Sequence, residues 1–199
     1  MRSNELVPAR GLEAEPQCIL MDMDKEANAE ESPTPELGAL DSEPHSLRQI
    51  DRDGALAILA RHCPPGRVWA PGYPTDGDLE AARLFVRRLS EGEELGPFGI
   101  FEILEGAEDV VVGGIGFHRP PGADGAVEVG YGVVPSHWSQ GICTEALRAI
   151  VAFAREHGAL RVEARSLPSN GASRRVMEKV GLHFVDVVDG YTRYEIRFA

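Results

Sequence analysis

Residues 127–147 read V-E-V-G-Y-G-V-V-P-S-H-W-S-Q-G-I-C-T-E-A-L. Apolar side chains alternate in the first half, which predicts a strand over residues 127–134. Gly141 then precedes apolar residues at helical spacing, so a helix is predicted to begin directly after a short polar loop. The first N–H groups of a helix have no partner within it, and with the helix dipole they attract an anion. The stretch therefore indicates a phosphate-binding site, and the alternative is an ordinary strand–helix connection.

Helical and extended patterns alternate on either side of this stretch. Asp51 or Asp53 can cap the first predicted helix, and a Pro/Gly-rich loop over residues 67–77 follows it. Further helices are predicted over residues 78–89, after Gly141, and over residues 172–180 with Asn170 as the cap. Strands are predicted over residues 46–50, 98–104, 110–118, 127–134, 161–164, 184–188 and 191–198. The pattern predicts one mixed α/β domain around a central sheet, with residues 98–134 as an antiparallel meander.

The charge of the chain is concentrated at its beginning. Residues 1–45 hold eleven acidic and three basic residues, which gives −8 of the formal net charge of −12. This segment is also rich in Pro and Ser, so we expect a flexible acidic extension before a domain over residues 46–199. The domain is only mildly acidic, and this argues against binding to nucleic acid, which favours a basic surface.

The three cysteines, Cys18, Cys63 and Cys143, are too few and too scattered for a disulfide framework or a zinc site. We therefore expect no metal and a reducing, cytoplasmic setting. No apolar run approaches the length of about 18 residues that a membrane span needs, and the N-terminus has no apolar signal core. Neither membrane association nor export is expected.

Two sequence blocks resemble the GNAT superfamily of acetyltransferases. Residues 138–143, W-S-Q-G-I-C, occupy the frame of its R/Q-x-x-G-x-G/A signature. The match is nearer to the ribosomal-protein N-terminal (RimJ/RimL-type) acetyltransferases, which show E-I-G-Y and then H-W-G-Q-G-Y-A-T-E-A. Residues 170–182, N-G-A-S-R-R-V-M-E-K-V-G-L, resemble the N-x-x-S-x-x-V-x-E-K-x-G-F block of the same subgroup. Ser139 and Cys143 depart from that pattern, but both are small.

The resemblance implies an acyl-CoA N-acyltransferase fold with acetyl-CoA as cosubstrate. Its central sheet is expected to splay between the fourth and fifth strands, over residues 127–134 and 161–164. Backbone groups of Val133 and Val134 would pair with the pantetheine arm, and Asn170 would contact it. The pyrophosphate would rest on the loop formed by Trp138, Ser139, Gln140, Gly141, Ile142, Cys143 and Thr144.

The same resemblance suggests two catalytic residues. A lysine-like amine has a pKa of about 10.4 and must lose a proton before it attacks a thioester. Glu128 is the candidate base, directly or through water; the alternative is a solvated or substrate-positioning carboxylate. Many family members protonate the leaving thiolate with a tyrosine, but that position is Met177 here. Ser173 is the candidate substitute, although a serine in a first helical turn also has local uses.

Several alternatives stay open at this stage. The Cys143 side chain is expected to pack rather than to act as a nucleophile, since no partner is placed to activate it. Trp69 and Tyr73 could line an acceptor pocket or anchor their own loop. The acceptor could be a protein N-terminal amine, an aminoglycoside-like amine or a small metabolite amine, and a homodimer is left open. The rival to an enzyme is a catalytically silent acetyl-CoA-binding regulatory module.

Overall fold

The computed structural model describes residues 45–198, so the predicted acidic extension lies outside the described residues except for His45. Eight strands and four α-helices occupy this part of the chain. In chain order they are β1 (His45–Gln49), α1 (Arg52–Ala60), β2 (Val68–Trp69), α2 (Asp76–Ser90), β3 (Ile100–Glu105), β4 (Val110–Phe117), β5 (Ala126–Val133), α3 (Ile142–Glu156), β6 (Arg161–Ser166), α4 (Gly171–Val180), β7 (His183–Val188) and β8 (Tyr191–Arg197). A 3₁₀ turn over Pro135–His137 follows β5.

The strands form a single mixed sheet in the order β1-β3-β4-β5-β6-β8-β7. The β3–β4–β5 meander is antiparallel, and β7 and β8 form the closing hairpin. The meander confirms the prediction from hydrophobic alternation and turn residues, and the hairpin joins the last two predicted strands. Only β5 and β6 among the main strands pair in parallel, because α3 carries the chain back across the sheet between them.

One strand was missed within the loop predicted over residues 67–77. The two-residue strand β2 pairs in parallel with the beginning of β4, through Val68 with Val110 and Trp69 with Val111. Two residues are too few to show a periodic pattern. This short ladder fixes the first part of the loop against the sheet, and Trp69 packs edge-on against Tyr73 at a centroid distance of 5.1 Å.

The helices cover both faces of the sheet. Paired glycines show the two faces: a Cβ added to Gly114 on β4 would collide with Asp78 on α2, and Gly114 lies opposite Gly132 on β5. Side chains alternate along a strand, so the intervening Tyr131 points the other way and reaches Ser173 on α4. The α2 side of β5 is therefore lined by glycines, and the α3–α4 side carries the larger residues.

The sheet opens between β5 and β6. Their ladder runs from Ala126 with Arg161 to Val129 with Ala164 and then stops, while β5 continues to Val133. Beyond Ala164, β6 stays paired with β8 and not with β5. The splay expected between residues 127–134 and 161–164 is confirmed. It leaves the second half of β5 with one unpaired edge.

Candidate active site

The open edge of β5 presents main-chain groups to the gap. Glu128 accepts a hydrogen bond at its carbonyl from the His118 N–H (2.9 Å), so even-numbered residues of β5 direct their backbone toward β4. In an extended strand the residues between them, here the odd-numbered ones, direct their N–H and C=O groups to the opposite side. Tyr131 and Val133 therefore point theirs into the gap. The Val133 carbonyl accepts the indole N–H of Trp138 (3.0 Å), which leaves the Val133 N–H for a ligand.

Val134 does not share this arrangement. Its N–H donates to the Val112 carbonyl (2.9 Å), and its own carbonyl accepts the N–H of His137 (3.0 Å). The sequence interpretation paired both Val133 and Val134 with the pantetheine arm. This structure corrects that assignment for Val134, because both of its backbone groups already have partners on the β4 side and in the following turn.

The loop before α3 is a row of free amides. Ser139 and Gly141 have φ angles of 62° and 90°, which turn the chain sharply before the helix. Among the described residues, the N–H groups of residues 139–143 donate to no other group. The Thr144 N–H donates to the Gly141 carbonyl (2.8 Å), so the row ends one residue earlier than the predicted loop. These amides lie at the positive end of the 15-residue helix α3 and suit a pyrophosphate.

Side chains of the preceding turn hold this loop in shape. Gln140 donates from its amide to the Ser136 carbonyl (3.0 Å). The His137 ring lies between the Ser136 hydroxyl (2.9 Å) and the Glu105 carboxylate (3.1 Å). These two contacts fix the His137 ring and with it the shape of the turn. The Trp138 side chain is 64% exposed beyond its indole hydrogen bond and borders the loop.

Ile142 and Cys143 offer only their backbone to the loop. The Ile142 side chain is buried in the core, beneath the first turn of α3. Burial raises the pKa of the Cys143 thiol to about 11, so the sulfur is protonated at neutral pH and is not a nucleophile. This agrees with the expected packing role of Cys143.

A pair of hydroxyl groups faces the gap from the α4 side. The Ser173 hydroxyl lies 3.0 Å from the Tyr131 hydroxyl, which also lies 3.2 Å from the Ser173 carbonyl and donates to it. Burial raises the pKa of Tyr131 to about 12, so the phenol keeps its proton at neutral pH. The Asn170 side-chain oxygen caps α4 by accepting from the Ser173 N–H (3.1 Å), which leaves the Asn170 amide NH₂ for a ligand. Met177 is fully buried in the core.

The sequence interpretation missed Tyr131 as a member of this pair. The available signal was the strand alternation, which puts Tyr131 on the face opposite Glu128. The contact itself joins residues 42 positions apart and depends on how α4 packs on the sheet. Sequence spacing alone does not contain that information.

Glu128 lies on the α2 side of β5, among cations. Its carboxylate lies 3.4 Å from His118 Nδ1 and 3.5 Å from Arg165 Nε. The hydrogen bond with His118, together with the charges of His118, Arg165 and Arg119, holds the pKa of Glu128 below its usual value against the opposing effect of burial. Glu128 is therefore a carboxylate throughout the neutral range.

A cavity of about 450 Å³ lies between α1, α2 and strands β3 to β5. It reaches the open edge of β5 at Gly130 and Gly132, where the absence of side chains gives it room. Its walls are mostly apolar, and they include Ile50, Ile58, Phe85, Leu95, Phe101 and Phe117. A ligand in the cavity would thus meet the gap at the middle of β5.

Polar groups in the cavity come from three separate parts of the chain. Asp78 on α2 is 8% exposed, and burial raises the pKa of its carboxyl above the usual value in spite of hydrogen bonds from Thr75. The buried Tyr73 hydroxyl has no partner among the described residues. His118 lies at the mouth of the cavity, just after β4. Of the two aromatic residues considered from sequence, Tyr73 lines the cavity and Trp69 packs behind it.

Within residues 45–198, no three His, Cys, Asp or Glu side chains lie close enough together to hold a metal ion. None of the helices in the described part of the chain combines the length and the apolar character that crossing a bilayer requires.

The open strand, the amide row and the cavity together define a site for a ligand with a long arm and a phosphate group. The acetyltransferase (GNAT) domain family matches residues 46–183, and the chain belongs to this family. The protein "Probable N-acetyltransferase YjcK" of Bacillus subtilis (strain 168) is 34% identical over 113 residues. That match covers 56% of this chain and 60% of the relative, so the chain spans less than two thirds of that relative's length.

Solved structures share the fold. The ribosomal-protein-S5-alanine acetyltransferase of Vibrio fischeri matches with a TM-score of 0.56 and 16% identity, over 80% of this chain and 96% of that one. Mycobacterium smegmatis RimJ in complex with CoA-disulfide matches with a TM-score of 0.53 and 22% identity, over 77% of this chain and 81% of that one. Identities this low establish the fold alone. They agree with the RimJ/RimL-type resemblance of the two sequence blocks.

Proposed function

We propose that the protein transfers the acetyl group of acetyl-CoA to a primary amine of an acceptor bound in the cavity. One observation carries this proposal: the free edge of β5 joins the amide row of residues 139–143 at one end and the cavity at Gly130 and Gly132 at the other. A donor bound along that edge and an acceptor in the cavity would meet at the middle of the strand.

The residues present suit acetyl-CoA. The N–H groups of residues 139–143 would hold the pyrophosphate, since amides at a helix N-terminus bind phosphate without a basic side chain. The Val133 N–H and the free amide of Asn170 would hold the pantetheine arm. Acetyl-CoA supplies the thioester, and the Tyr131 N–H, which points into the gap, would stabilise negative charge on its carbonyl oxygen.

Two groups of this chain would handle the protons. Glu128, ionised and on the cavity side of β5, would draw the proton from the incoming ammonium. The Ser173 hydroxyl, in contact with Tyr131, would donate to the departing thiolate. A protonated hydroxyl pair near the gap takes the place of the tyrosine that many family members carry where Met177 lies.

The test is a thiol-release assay with protein N-terminal peptides, aminoglycosides and small polyamines as acceptors. We expect Glu128→Gln to lower kcat about 100-fold, and Ser173→Ala to lower it about tenfold, with acetyl-CoA affinity within twofold of the unmodified protein. Glu156→Gln on the exposed side of α3 and Ser90→Ala at the end of α2 are the matched controls. Full activity in both active-site variants would contradict the assigned roles and leave the family unaffected.

The acceptor class is the open part of the proposal. The Vibrio fischeri neighbour, which is named a ribosomal-protein-S5-alanine acetyltransferase, supports a protein N-terminal amine. A cavity of about 450 Å³ is also large enough for a small polyamine. The homodimer and the cytoplasmic setting expected from sequence stay predictions.

The rival from another class is a silent acetyl-CoA-binding module that regulates a partner. Met177 is the observation that favours it, since the residue cannot donate a proton. The cavity at the gap favours the enzyme, because a sensor of acetyl-CoA needs no acceptor site. Calorimetry and the thiol-release assay distinguish them: a silent module would bind acetyl-CoA and release no CoA with any of the three amine classes.

A further inference from the structure

We propose that His118 is the group that takes the proton from the acceptor amine, and that Glu128 is the residue that positions it. The inference rests on the proposed acetyl transfer and changes the identity of the immediate base. It assigns a catalytic role to a residue that lies outside both sequence blocks of the family resemblance.

The position of His118 is the first support. It follows β4 directly and lines the cavity, with 48% of its side chain exposed. Its Nε2 atom lies 3.0 Å from the point where a Cβ on Gly130 would stand. Gly130 precedes Tyr131, whose backbone N–H and C=O groups point into the gap between β5 and β6. His118 Nε2 therefore borders both the cavity and the reacting edge of the strand.

The contact with Glu128 is the second support. The Glu128 Oε1 atom lies 3.4 Å from His118 Nδ1, and this is the ring nitrogen that does not face Gly130. A carboxylate at Nδ1 keeps the proton on that nitrogen and leaves the lone pair on Nε2, which faces the cavity. The same division of roles between a carboxylate and an imidazole operates in catalytic triads of hydrolases.

The surroundings of Glu128 are the third support. Glu128 is not part of the cavity lining, and its carboxylate is paired with Arg165 as well as with His118. A carboxylate held ionised by cations is a weak base toward an amine, while an imidazole with an ordinary pKa of about 6.5 is much nearer the pKa of an ammonium. His118 is also the member of the pair that lines the cavity.

The proton balance is complete without any further reactant. The acceptor ammonium gives one proton to His118 Nε2, and its nitrogen then attacks the thioester carbonyl. The C–N bond forms as the C–S bond breaks, and the second proton of the nitrogen ends on the CoA sulfur by way of the Tyr131–Ser173 hydroxyl pair. His118 returns its proton to water through its exposed side. The products are the acetylamine, CoA with a free thiol, and one released proton.

Charged groups from each neighbouring element set the pH dependence of this step. Glu128 on β5 contacts the His118 ring, and Arg165 on β6 and Arg119 on the loop after β4 both act on the Glu128 carboxylate. From α2, three ionisable residues line the same cavity: Asp78, Glu80 and Arg88. Among these side-chain types, only an imidazole ordinarily changes its charge near neutral pH. We therefore expect activity to rise through an acidic limb as the imidazole loses its proton.

The experiment is the pH profile of kcat/KM for the acceptor in four variants. His118→Gln should lower kcat at least about 100-fold and abolish the acidic limb. Glu128→Gln should keep the limb but move it to lower pH by about one pH unit, because the nearby negative charge is lost. Glu128→Asp should return the limb close to its original pH, and His62→Gln on the surface just after α1 should leave the profile unchanged.

Acetyl-CoA affinity by calorimetry shows that each variant is folded and binds the donor. A slow Glu128→Gln together with a normal His118→Gln would overturn the inference, since the proton would then pass to Glu128 directly, and the proposed function would stand. A protein that binds acetyl-CoA but acetylates no amine would overturn the proposed function itself, together with the inference that depends on it.

Discussion

The two sides of the proposed active site, one for the acetyl-CoA donor and one for the acceptor amine, are formed by different kinds of groups. The donor side consists of main-chain amides: one edge of β5 and the row over residues 139–143. The acceptor side consists of side chains from α1, α2 and β3 to β5 that surround a cavity of about 450 Å³. Donor binding therefore depends on backbone conformation, while acceptor binding depends on which side chains are present. Substitutions should separate the two sides cleanly.

Among the substitutions that change the binding of one substrate alone, the largest effect is expected at Gly141, on the donor side. A Cβ at Gly141 would meet no atom within 4 Å, so space is not the constraint. Its φ of 90° is the constraint, since a residue with a side chain disfavours that conformation by about 1–2 kcal/mol. Gly141→Ala should turn the amides of residues 142 and 143 away and raise the KM for acetyl-CoA about 10- to 30-fold in steady-state kinetics.

Gly158, at the other end of α3, provides the matched control. It also has a positive φ, of 85°, and open space around the added Cβ. Gly158→Ala should therefore lower the melting temperature as much as Gly141→Ala does, without a change in the KM for acetyl-CoA. An equal loss of donor affinity in both variants would mean that stability, and not the amide row, controls binding.

The next effect is expected from filling the acceptor side. Ala81 on α2 lines the cavity, and Ala60 at the end of α1 is exposed. Ala81→Phe should occupy part of the cavity and raise the KM for the acceptor about tenfold, an effect of about 1.4 kcal/mol. The KM for acetyl-CoA should stay within twofold, and Ala60→Phe should alter neither constant. A rise in both constants with Ala81→Phe would show that the two sides are not independent.

This division also explains what could be predicted from sequence. The elements and the meander follow from alternation, capping residues and turn residues that are adjacent in the chain, whereas the splay was implied by the family resemblance. The amide row is likewise a local pattern, since Ser139, Gly141 and α3 follow each other directly. A motif of this kind can be recognised in the sequence because one continuous stretch of backbone forms the binding site.

The acceptor side was not readable for the opposite reason. Asp78, Tyr73 and His118 belong to different elements and meet only when α2 packs on β4 and β5. The same holds for Tyr131 with Ser173, whose contact depends on the position of α4. Val134 shows that a local motif was insufficient even on the donor side. Backbone groups of alternate β5 residues point to opposite sides, and no motif shows which residues face the gap.

A smaller effect on acceptor binding is expected at Thr75, which caps α2 and also lines the cavity. Its hydroxyl donates to Asp78 (2.6 Å), and the two residues form the capping box of α2. Thr75→Ala should lower the free energy of unfolding by about 1 kcal/mol and raise the acceptor KM a few-fold. Asp51→Ala removes the corresponding cap of α1, so it should cost similar stability with no change in acceptor KM.

The stability effect of Thr75→Ala should also depend on pH. Burial raises the pKa of Asp78, so its ionised form is disfavoured in the fold, and stability from this group increases as the pH falls. The Thr75 hydrogen bonds oppose that shift and help only the ionised form. The difference between Thr75→Ala and the unmodified protein should therefore be larger at pH 7 than at pH 5 in urea titrations. A constant difference would show that Asp78 keeps one protonation state throughout.

The smallest effect is expected at Cys143, where the side chain and the backbone have separate roles. The amide belongs to the donor site, while the thiol is packed and protonated, with its pKa raised to about 11. Cys143→Ala keeps the amide and the helix, so the KM for acetyl-CoA should change by less than about twofold, beside the 10- to 30-fold expected for Gly141→Ala two residues earlier. Iodoacetamide should label Cys143 slowly at pH 7.5 and faster as the pH rises toward 11, as mass spectrometry of the modified peptide would show. A large loss of donor affinity in Cys143→Ala would mean that the sulfur itself contacts acetyl-CoA, and the donor side would then no longer be a purely main-chain site.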